Sequence, residues 1–289
     1  MLRTTVTLAV CFLAIHSAFA QADETSRRWN KPVTPFRIAG NLYYVGAVEI
    51  TSYLIVTPGG HFLLDGGFVE TAPQIERNIT ELGFKLTDVK FLLNSHAHCD
   101  HAGGLAELKK MTGAKFLASE RDAPMLRSGG HGDFRFGDTL TFPPIAPDQI
   151  VHDGEAFGLG NQTMIAHLTP GHTKGCTTWT MTARDGGKNY DVVIVGSPNI
   201  NPGYRLVNNT EYPQIADEYR KTFRVLKSLR PDIFLGAHPD YFNGEAKYAR
   251  MKAGGANPFI DPEGYKSYIA ERQANFEKTL AQQEAEARK

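Results

Sequence analysis

Three imidazoles and a carboxylate crowd into six consecutive positions, His96-Ala97-His98-Cys99-Asp100-His101, directly after the apolar residues Val89, Phe91, Leu92 and Leu93. No other stretch of the 289-residue chain limits its fold so tightly. The apolar run reads as a buried strand that delivers polar side chains to a loop at its end. Gly103-Gly104 then lets the backbone turn sharply into a helix. Neutral imidazole and anionic carboxylate are zinc ligands, and a cluster this dense is a metal-site signature rather than a polar loop of satisfied histidines. The spacing admits two metals, because His96 and His98 can point one way while Asp100 and His101 point another.

The flanking sequence supplies the scaffold for such a loop. Residues 41–45 and 51–56 read as strands, Pro58-Gly59-Gly60 as a turn, and residues 61–64 as the return strand. Asp65-Gly66-Gly67 ends that hairpin; Asp65 is either a turn residue or an outer carboxylate that orients a metal-bound imidazole. Residues 71–82 carry helical spacing and stop at Gly83, residues 86–93 form the strand feeding the cluster, and residues 101–111 continue as a helix. Residues 116–118 form a short strand, after which Ser119 is expected to cap a helix through Leu126. Residues 128–147 are rich in Gly, Pro, Phe and Asp, and a loop of that length is usually functional or flexible. Its Phe134 and Phe136 either line a pocket or pack in the core. Short strands are expected at Gln149–Val151, Ala156–Leu159, 163–168, 177–182, 191–195 and 232–235. A long amphipathic helix is expected at 212–229, and charged helical sequence from about 265 to 289. Each half is strands followed by helices, which predicts an α/β chain (α+β type) of two mixed sheets packed face to face with helices on the outer faces. The metal site would sit at one edge of that four-layer αβ/βα sandwich.

Composition narrows the function classes. Lys+Arg and Asp+Glu balance at 31 each, so no basic excess argues for nucleic acid or an anionic membrane. Residues 1–20 carry Arg3 as their only charge, a largely apolar stretch from Val6 to Ile15, and Ala18-Phe19-Ala20. That is the pattern of a secretory signal peptide, too short in its apolar core to span a membrane; a retained anchor is the other reading. The mature chain, 21–289, is then expected to be exported and soluble. Cys99 and Cys176 remain in it, and an oxidising compartment permits a bridge between them without requiring one. Cys176 is expected to be a buried small hydrophobe.

Two later strand ends supply further imidazoles. Thr169-Pro170-Gly171-His172 and Gly236-Ala237-His238 each follow an apolar strand and a glycine, and ligands presented from one edge of packed sheets can converge. His61, His131, His152 and His167 are left without a role; His167 lies inside a strand, most simply as a packed or paired side chain.

Taken together, His96-Ala97-His98-Cys99-Asp100-His101, Thr169-Pro170-Gly171-His172 and Gly236-Ala237-His238 resemble the signature of the metallo-β-lactamase superfamily. The order and spacing across the mature chain are most similar to the third subclass of metallo-β-lactamases. The likeness extends to Trp29-Asn30-Lys31-Pro32, Leu64-Asp65-Gly66-Gly67, Phe136-Gly137-Asp138, Gly175 to Trp179 and Asn201 to Tyr204. Thioesterases and lactonases of the superfamily place a metal-bridging Asp where this chain has Ser197, and the first lactamase subclass places a cysteine ligand where none occurs after Cys176.

The resemblance implies an exported, periplasmic zinc β-lactamase, acting as a monomer on penicillins, cephalosporins or carbapenems and conferring resistance to them. His96, His98 and His172 would hold one Zn²⁺ and Asp100, His101 and His238 a second, with hydroxide from the zinc-held water opening the lactam. Asp100, His101 and Tyr204 would stand at the reacting centre. Ser197, Asn199 and Tyr204 would contact substrate, with ordinary loop hydrogen bonding as the alternative for each. Trp29 and Phe136 would form an apolar wall or belong to the core. Another dizinc hydrolase, a lactonase or thioesterase, is the competing enzyme; a non-catalytic zinc module is a third reading.

Overall fold

Leu92 and Leu93 are adjacent and both fully buried, which a strand achieves only when each of its faces is covered by a separate layer. The computed structural model of the chain, which describes residue 24 and residues 26–289, places them in the middle of such a sandwich. The signal segment expected at residues 1–20 lies outside the described residues.

The first sheet has seven strands whose spatial order follows the sequence: β1 (Phe36–Ala39), β2 (Leu42–Tyr44), β3 (Tyr53–Thr57), β4 (Gly60–Leu64), β5 (Val89–Leu93), β6 (Lys115–Ser119) and β7 (Gln149–Val151). β1 to β4 pair antiparallel and β4 to β7 parallel. Parallel neighbours need crossovers. Those crossovers carry α1 (Ala72–Glu81), the single turn α2 (Cys99–Ala102), α3 (Leu105–Thr112) and α4 (Ala123–Ser128). Ile75, Ile79, Leu105, Leu108 and Leu126 from these helices pack on Leu54, Leu63, Leu92 and Phe116 of the outer sheet face.

The second sheet holds β8 (Ala156–Leu159), β9 (Gln162–Leu168), β10 (Thr177–Asp185), β11 (Lys188–Val195) and β12 (Ile233–Gly236), in the order β12-β11-β10-β9-β8. α5 (Ile215–Ser228) is the crossover that brings β12 parallel to β11. α6 (Gly244–Ala253) and α7 (Pro262–Ala287) complete the chain. Between the sheets, Phe62, Leu64, Leu93 and Leu117 meet Phe157, Met164, Trp179, Met181 and Ile194. Trp179 is 1% exposed, and its indole N–H donates to the Asn94 carbonyl at 3.1 Å, tying the second sheet to the strand that feeds the histidine cluster.

Several expected boundaries move for identifiable reasons. The expected helix 101–111 is two pieces, because Gly104 passes so near the Asp65-Gly66-Gly67 turn that a Cβ there would lie 2.3 Å from the Gly66 carbonyl oxygen. The β10–β11 hairpin runs three residues further on each side than expected, closed by Gly186 and Gly187, both at positive φ. Ser119 does not cap a helix. It ends β6, its hydroxyl donates to the Gly175 carbonyl at 2.6 Å, and α4 begins only at Ala123.

Candidate metal centre

Every ligand-bearing loop leaves the same edge of the sandwich. The loop after β5 carries His96, His98, Asp100 and His101; the loop after β9 carries His172; the loop after β12 carries His238. Asp65 locks the first of these in place. It sits at φ 63°, the left-handed region that Asp tolerates better than most residues, and is therefore a turn residue. Its carboxylate also faces the histidine cluster: Oδ1 accepts from Ser95 N at 2.7 Å and Asn94 Nδ2 at 3.1 Å, while Oδ2 lies 3.3 Å from His101 Nδ1, the place an orienting carboxylate would take. Across the interface, the Thr51 and Tyr53 hydroxyls donate to the Gly236 carbonyl at 2.9 and 2.8 Å, fixing the backbone two residues before His238.

Two of the imidazoles are tied to backbone carbonyls behind the site. His172 Nδ1 donates to the Asn199 carbonyl at 2.8 Å and His238 Nδ1 to the Glu49 carbonyl at 2.9 Å. A carbonyl only accepts, so both rings carry their proton on Nδ1 and present a bare Nε2 forward. His96 Nδ1 pairs with Ser95 Oγ at 3.1 Å. His98 and His101 differ: His98 Nε2 and His101 Nδ1 are buried without a hydrogen-bond partner, the nearest carboxylates being Asp133 at 3.8 Å and Asp65 at 3.3 Å.

Ligand atoms of His96, His98 and His172 gather within 4.8 Å of one another. In a second set, His101 Nε2 lies 3.2 Å from His238 Nε2, and Asp100 Oδ2 lies 3.4 Å from the first and 3.5 Å from the second. His96 is also within 4.8 Å of Asp100 and His101, so the two sets adjoin. Burial, then the surrounding imidazoles, hold His96 well below the usual histidine range; burial does the same for His172 and lowers His98 and His238. Burial also works against a charged His101, but the Asp100 and Asp65 carboxylates outweigh it and push that ring up to about 10. The same imidazoles overcome burial at Asp100 and hold its carboxyl well below the usual carboxylate range.

His96, His98, Asp100, His172 and His238 lie at the base of an open cavity of about 920 Å³, with His101 fully buried beside them; the cavity is walled by Trp29, Phe68, Phe136 and Leu140 and edged by Arg28, Asn199, Asn201 and Tyr241. Trp29 meets His238 edge-on at 5.5 Å and Phe136 meets His98 edge-on at 5.6 Å.

A family model described as the metallo-beta-lactamase superfamily matches residues 45–238, which include all six of these side chains. The chain belongs to the metallo-β-lactamase superfamily. Among curated relatives, a probable metallo-hydrolase of Burkholderia pseudomallei is 29% identical over 194 residues, covering 63% of this chain and 62% of that protein; the chain thus spans less than two thirds of that relative. A metal-dependent hydrolase of Anaeromyxobacter sp. (strain K) is 34% identical over 227 residues, covering 74% and 72%. Solved superfamily structures match more fully. The native FEZ-1 metallo-β-lactamase from Legionella gormanii is 47% identical, with a TM-score of 0.87 and coverage of 88% of this chain and 98% of that one. BJP-1, a subclass B3 metallo-β-lactamase of Bradyrhizobium japonicum, is 41% identical, with a TM-score of 0.84 and coverage of 90% and 98%. LRA-12, a class B3 di-zinc metallo-β-lactamase from an Alaskan soil metagenome, is 38% identical, with a TM-score of 0.83 and coverage of 86% and 95%.

The metallo-β-lactamase donor sets of this chain fit zinc. Ligands about 2.0–2.1 Å from a tetrahedral zinc stand about 3.3–3.4 Å apart, the separation seen among Asp100, His101 and His238. With His101 charged, its Nε2–H points at the bare His238 Nε2 3.2 Å away, and a metal ion held there would take the place of that proton. Asn199, Trp29 and Phe136 line the cavity.

Ser197 and Tyr204 do not line it, and this corrects the expectation that they touch substrate. Ser197 is buried with its hydroxyl 3.1 Å from the Tyr241 hydroxyl, so Tyr241 fronts the cavity in its place. Tyr204 is buried against Phe134, and its hydroxyl donates to the His172 carbonyl at 2.7 Å; it supports a ligand loop from behind rather than standing at the reacting centre. Phe134 also packs on Tyr212, in the core. Cys99 and Cys176 are both free thiols, Cys176 fully buried, and His167 pairs with Thr180 inside the sheet at 2.9 Å. Phe68, Leu140, Asn201 and Tyr241 are cavity residues that the sequence reading missed, because isolated loop residues carry no periodic signal.

Proposed function

We propose that this superfamily member is an exported dizinc enzyme that hydrolyses the lactam ring of β-lactam antibiotics. The observation that carries the reading is the convergence of two three-donor sets at the base of an open, aromatic-walled cavity, each set one ligand short of a closed tetrahedron. His96, His98 and His172 would hold one ion, and Asp100, His101 and His238 the other. Bound there, zinc supplies Lewis acidity and a hydrolytic nucleophile at neutral pH.

The chain's own groups divide the remaining work. The carbonyls behind His172 and His238 fix the tautomers that leave Nε2 free. Asp100, held ionised by the neighbouring imidazoles, is a poor proton donor at neutral pH and an effective orienting carboxylate. Trp29 and Phe136 shield the flanks of the donor sets from water. Asn199 Oδ1 accepts from the Tyr268 hydroxyl at 3.3 Å, which turns its amide NH2 into the free end, a donor suited to a substrate carboxylate.

Two points favour a lactam over a thioester or lactone. The end of β11 reads Val195-Gly196-Ser197, with no carboxylate to bridge two metals, and the solved structures named metallo-β-lactamases are matched over nearly their whole length. Export rests on residues 1–20; among the described residues no helix is long and apolar enough to cross a membrane. The mature chain, 21–289, would then act in the periplasm as a monomer.

The test is hydrolysis of a carbapenem and a chromogenic cephalosporin by purified mature protein, with zinc and after chelation, beside a lactone and a thioester. Chelator-sensitive ring opening, lost in His98→Ala and Asp100→Ala and indifferent to serine-directed inhibitors, is expected. Two bound zinc equivalents with turnover only of the lactone or thioester would overturn the substrate assignment, and no turnover of any would leave a zinc-binding module.

A further inference from the structure

Asp122 belongs to neither donor set, yet it is buried directly behind the first, 3% exposed. Its Oδ2 accepts from Ala97 N at 3.1 Å and from Thr173 Oγ1 at 2.7 Å, and its Oδ1 accepts from Gly175 N at 2.7 Å. Ala97 lies between His96 and His98, and Thr173 follows His172. One carboxylate therefore grips two loops that leave different sheets and together carry the whole first set. The grip is close: a Cβ on Gly175 would fall 2.1 Å from Ser119 Oγ and 2.4 Å from Asp122 N.

Such an arrangement is costly in isolation. Among the described residues no ion pair reaches Asp122, and a buried carboxylate without a cation is unfavourable. Burial pushes its carboxyl up to about 6, against the pull of its three donors. A hydrophobic residue of similar size would avoid that cost, but only a carboxylate offers two acceptor oxygens to three donors on two separate loops. Asp65 holds the corresponding place behind the second set, where it joins Ser95 and His101.

We propose that Asp122 is a positioning residue that sets the spacing of His96, His98 and His172 and so tunes zinc affinity at that set alone. The inference rests on the dizinc reading above. Outer-shell carboxylates change metal affinity by about 10–100-fold, and Asp122 acts one step further out, through the backbone and Thr173 rather than on an imidazole.

The test compares Asp122→Asn, Thr173→Val and Thr173→Ser with the unaltered mature chain. Zinc stoichiometry and affinity are read by competition with a chromogenic chelator, cobalt(II) d–d bands report each site's geometry, and the melting point of the metal-free protein reports the fold. Asp122→Asn turns an amide N–H toward donors and is expected to weaken one zinc equivalent about tenfold or more, leaving the other unchanged. Thr173→Val is expected to weaken the same equivalent less, and Thr173→Ser, which keeps the hydroxyl, to restore it. If Asp122→Asn does not fold, the Thr173 pair carries the comparison. Unchanged zinc affinities and cobalt spectra in both Thr173→Val and Asp122→Asn, with only the melting point lowered, would make Asp122 purely structural and overturn the proposal. An unaltered chain that binds no zinc would instead sink the dizinc reading, and this inference with it.

Discussion

Asp65→Asn separates the geometry of the second donor set from its charge. Asn is isosteric with Asp and tolerates the left-handed φ of 63° at least as well, so the backbone contributes no penalty. The new amide oxygen takes over the bonds from Ser95 N and Asn94 Nδ2. That leaves its NH2 facing His101 Nδ1 at the 3.3 Å now spanned by Oδ2. Two N–H groups cannot face each other, so the neutral ring that a metal would bind has to carry its proton on Nε2, the atom 3.2 Å from His238 and 3.4 Å from Asp100. A protonated Nε2 cannot ligate metal. Restoring the ligating tautomer leaves a buried N–H pair unsatisfied, at about 1–3 kcal/mol. The typical effect of losing an outer carboxylate, about 10–100-fold in metal affinity, amounts to about 1.4–2.7 kcal/mol, so the two routes agree. Chelator competition should show one zinc equivalent weakened by that factor, with metal-free stability in urea nearly unchanged. Equal affinity for both equivalents in Asp65→Asn and the unaltered chain would refute the tautomer argument.

Gly171 sits at φ 130° with the Tyr219 ring 2.8 Å from where a Cβ would be, so Gly171→Ala should lose about 2–4 kcal/mol from strain and overpacking; a urea midpoint within error of the unaltered chain would contradict this. Trp179→Phe removes the indole N–H from the buried Asn94 carbonyl and leaves a void between the sheets, so a loss of about 2–4 kcal/mol is expected in the same assay. His96 and His172 stay neutral when folded but take up protons when unfolded below about pH 6.5. The unfolded state then binds more protons, and metal-free stability should fall with decreasing pH below about 6.5, by up to about 2.7 kcal/mol per unit for the two together. A flat stability profile from pH 6.5 to 5 would show that these rings charge freely. Zinc at 1,000 times its Kd should raise stability by about 4 kcal/mol per site, so chelation should lower the melting point, and a chelator-insensitive melting point would speak against metal binding by the folded state.

The sequence made the first cluster legible because its four donors fall within six consecutive positions after an apolar strand. His172 and His238 became legible only as strand-end histidines after glycine, and their convergence needed the likeness to a family. Strand and helix cores were legible from periodicity, as in residues 71–82 and 86–93. Boundaries were not, where tertiary contacts decided them. The break at Gly103-Gly104 depends on the Gly66 backbone pressing from another strand, which no local pattern records. Ser119 and Asp122 carry the composition of a helix cap, but their side chains turn inward to the Gly175 loop. Ser197 and Tyr204 were misplaced for a similar reason: a polar residue in a loop near a site looks the same whether it faces the cavity or its back wall. α6 and the short 3-10 turn Pro239–Phe242 went unread because their sequence lacks a clear apolar stripe.

The donor sets draw on both sheets, so a metal ion in either would be a cross-link as well as a reagent. His101 and His238 stand 137 residues apart in the chain. Tying such positions together closes a loop that, in the chain-entropy picture, is worth about 5 kcal/mol against the unfolded state. The ion would therefore act as a removable staple across the seam of the sandwich, doing for this chain what the free thiols of Cys99 and Cys176 do not. Before the staple is in place, the seam must be aligned by packing alone, through contacts such as Trp179 on Asn94. On that view folding would precede metal capture.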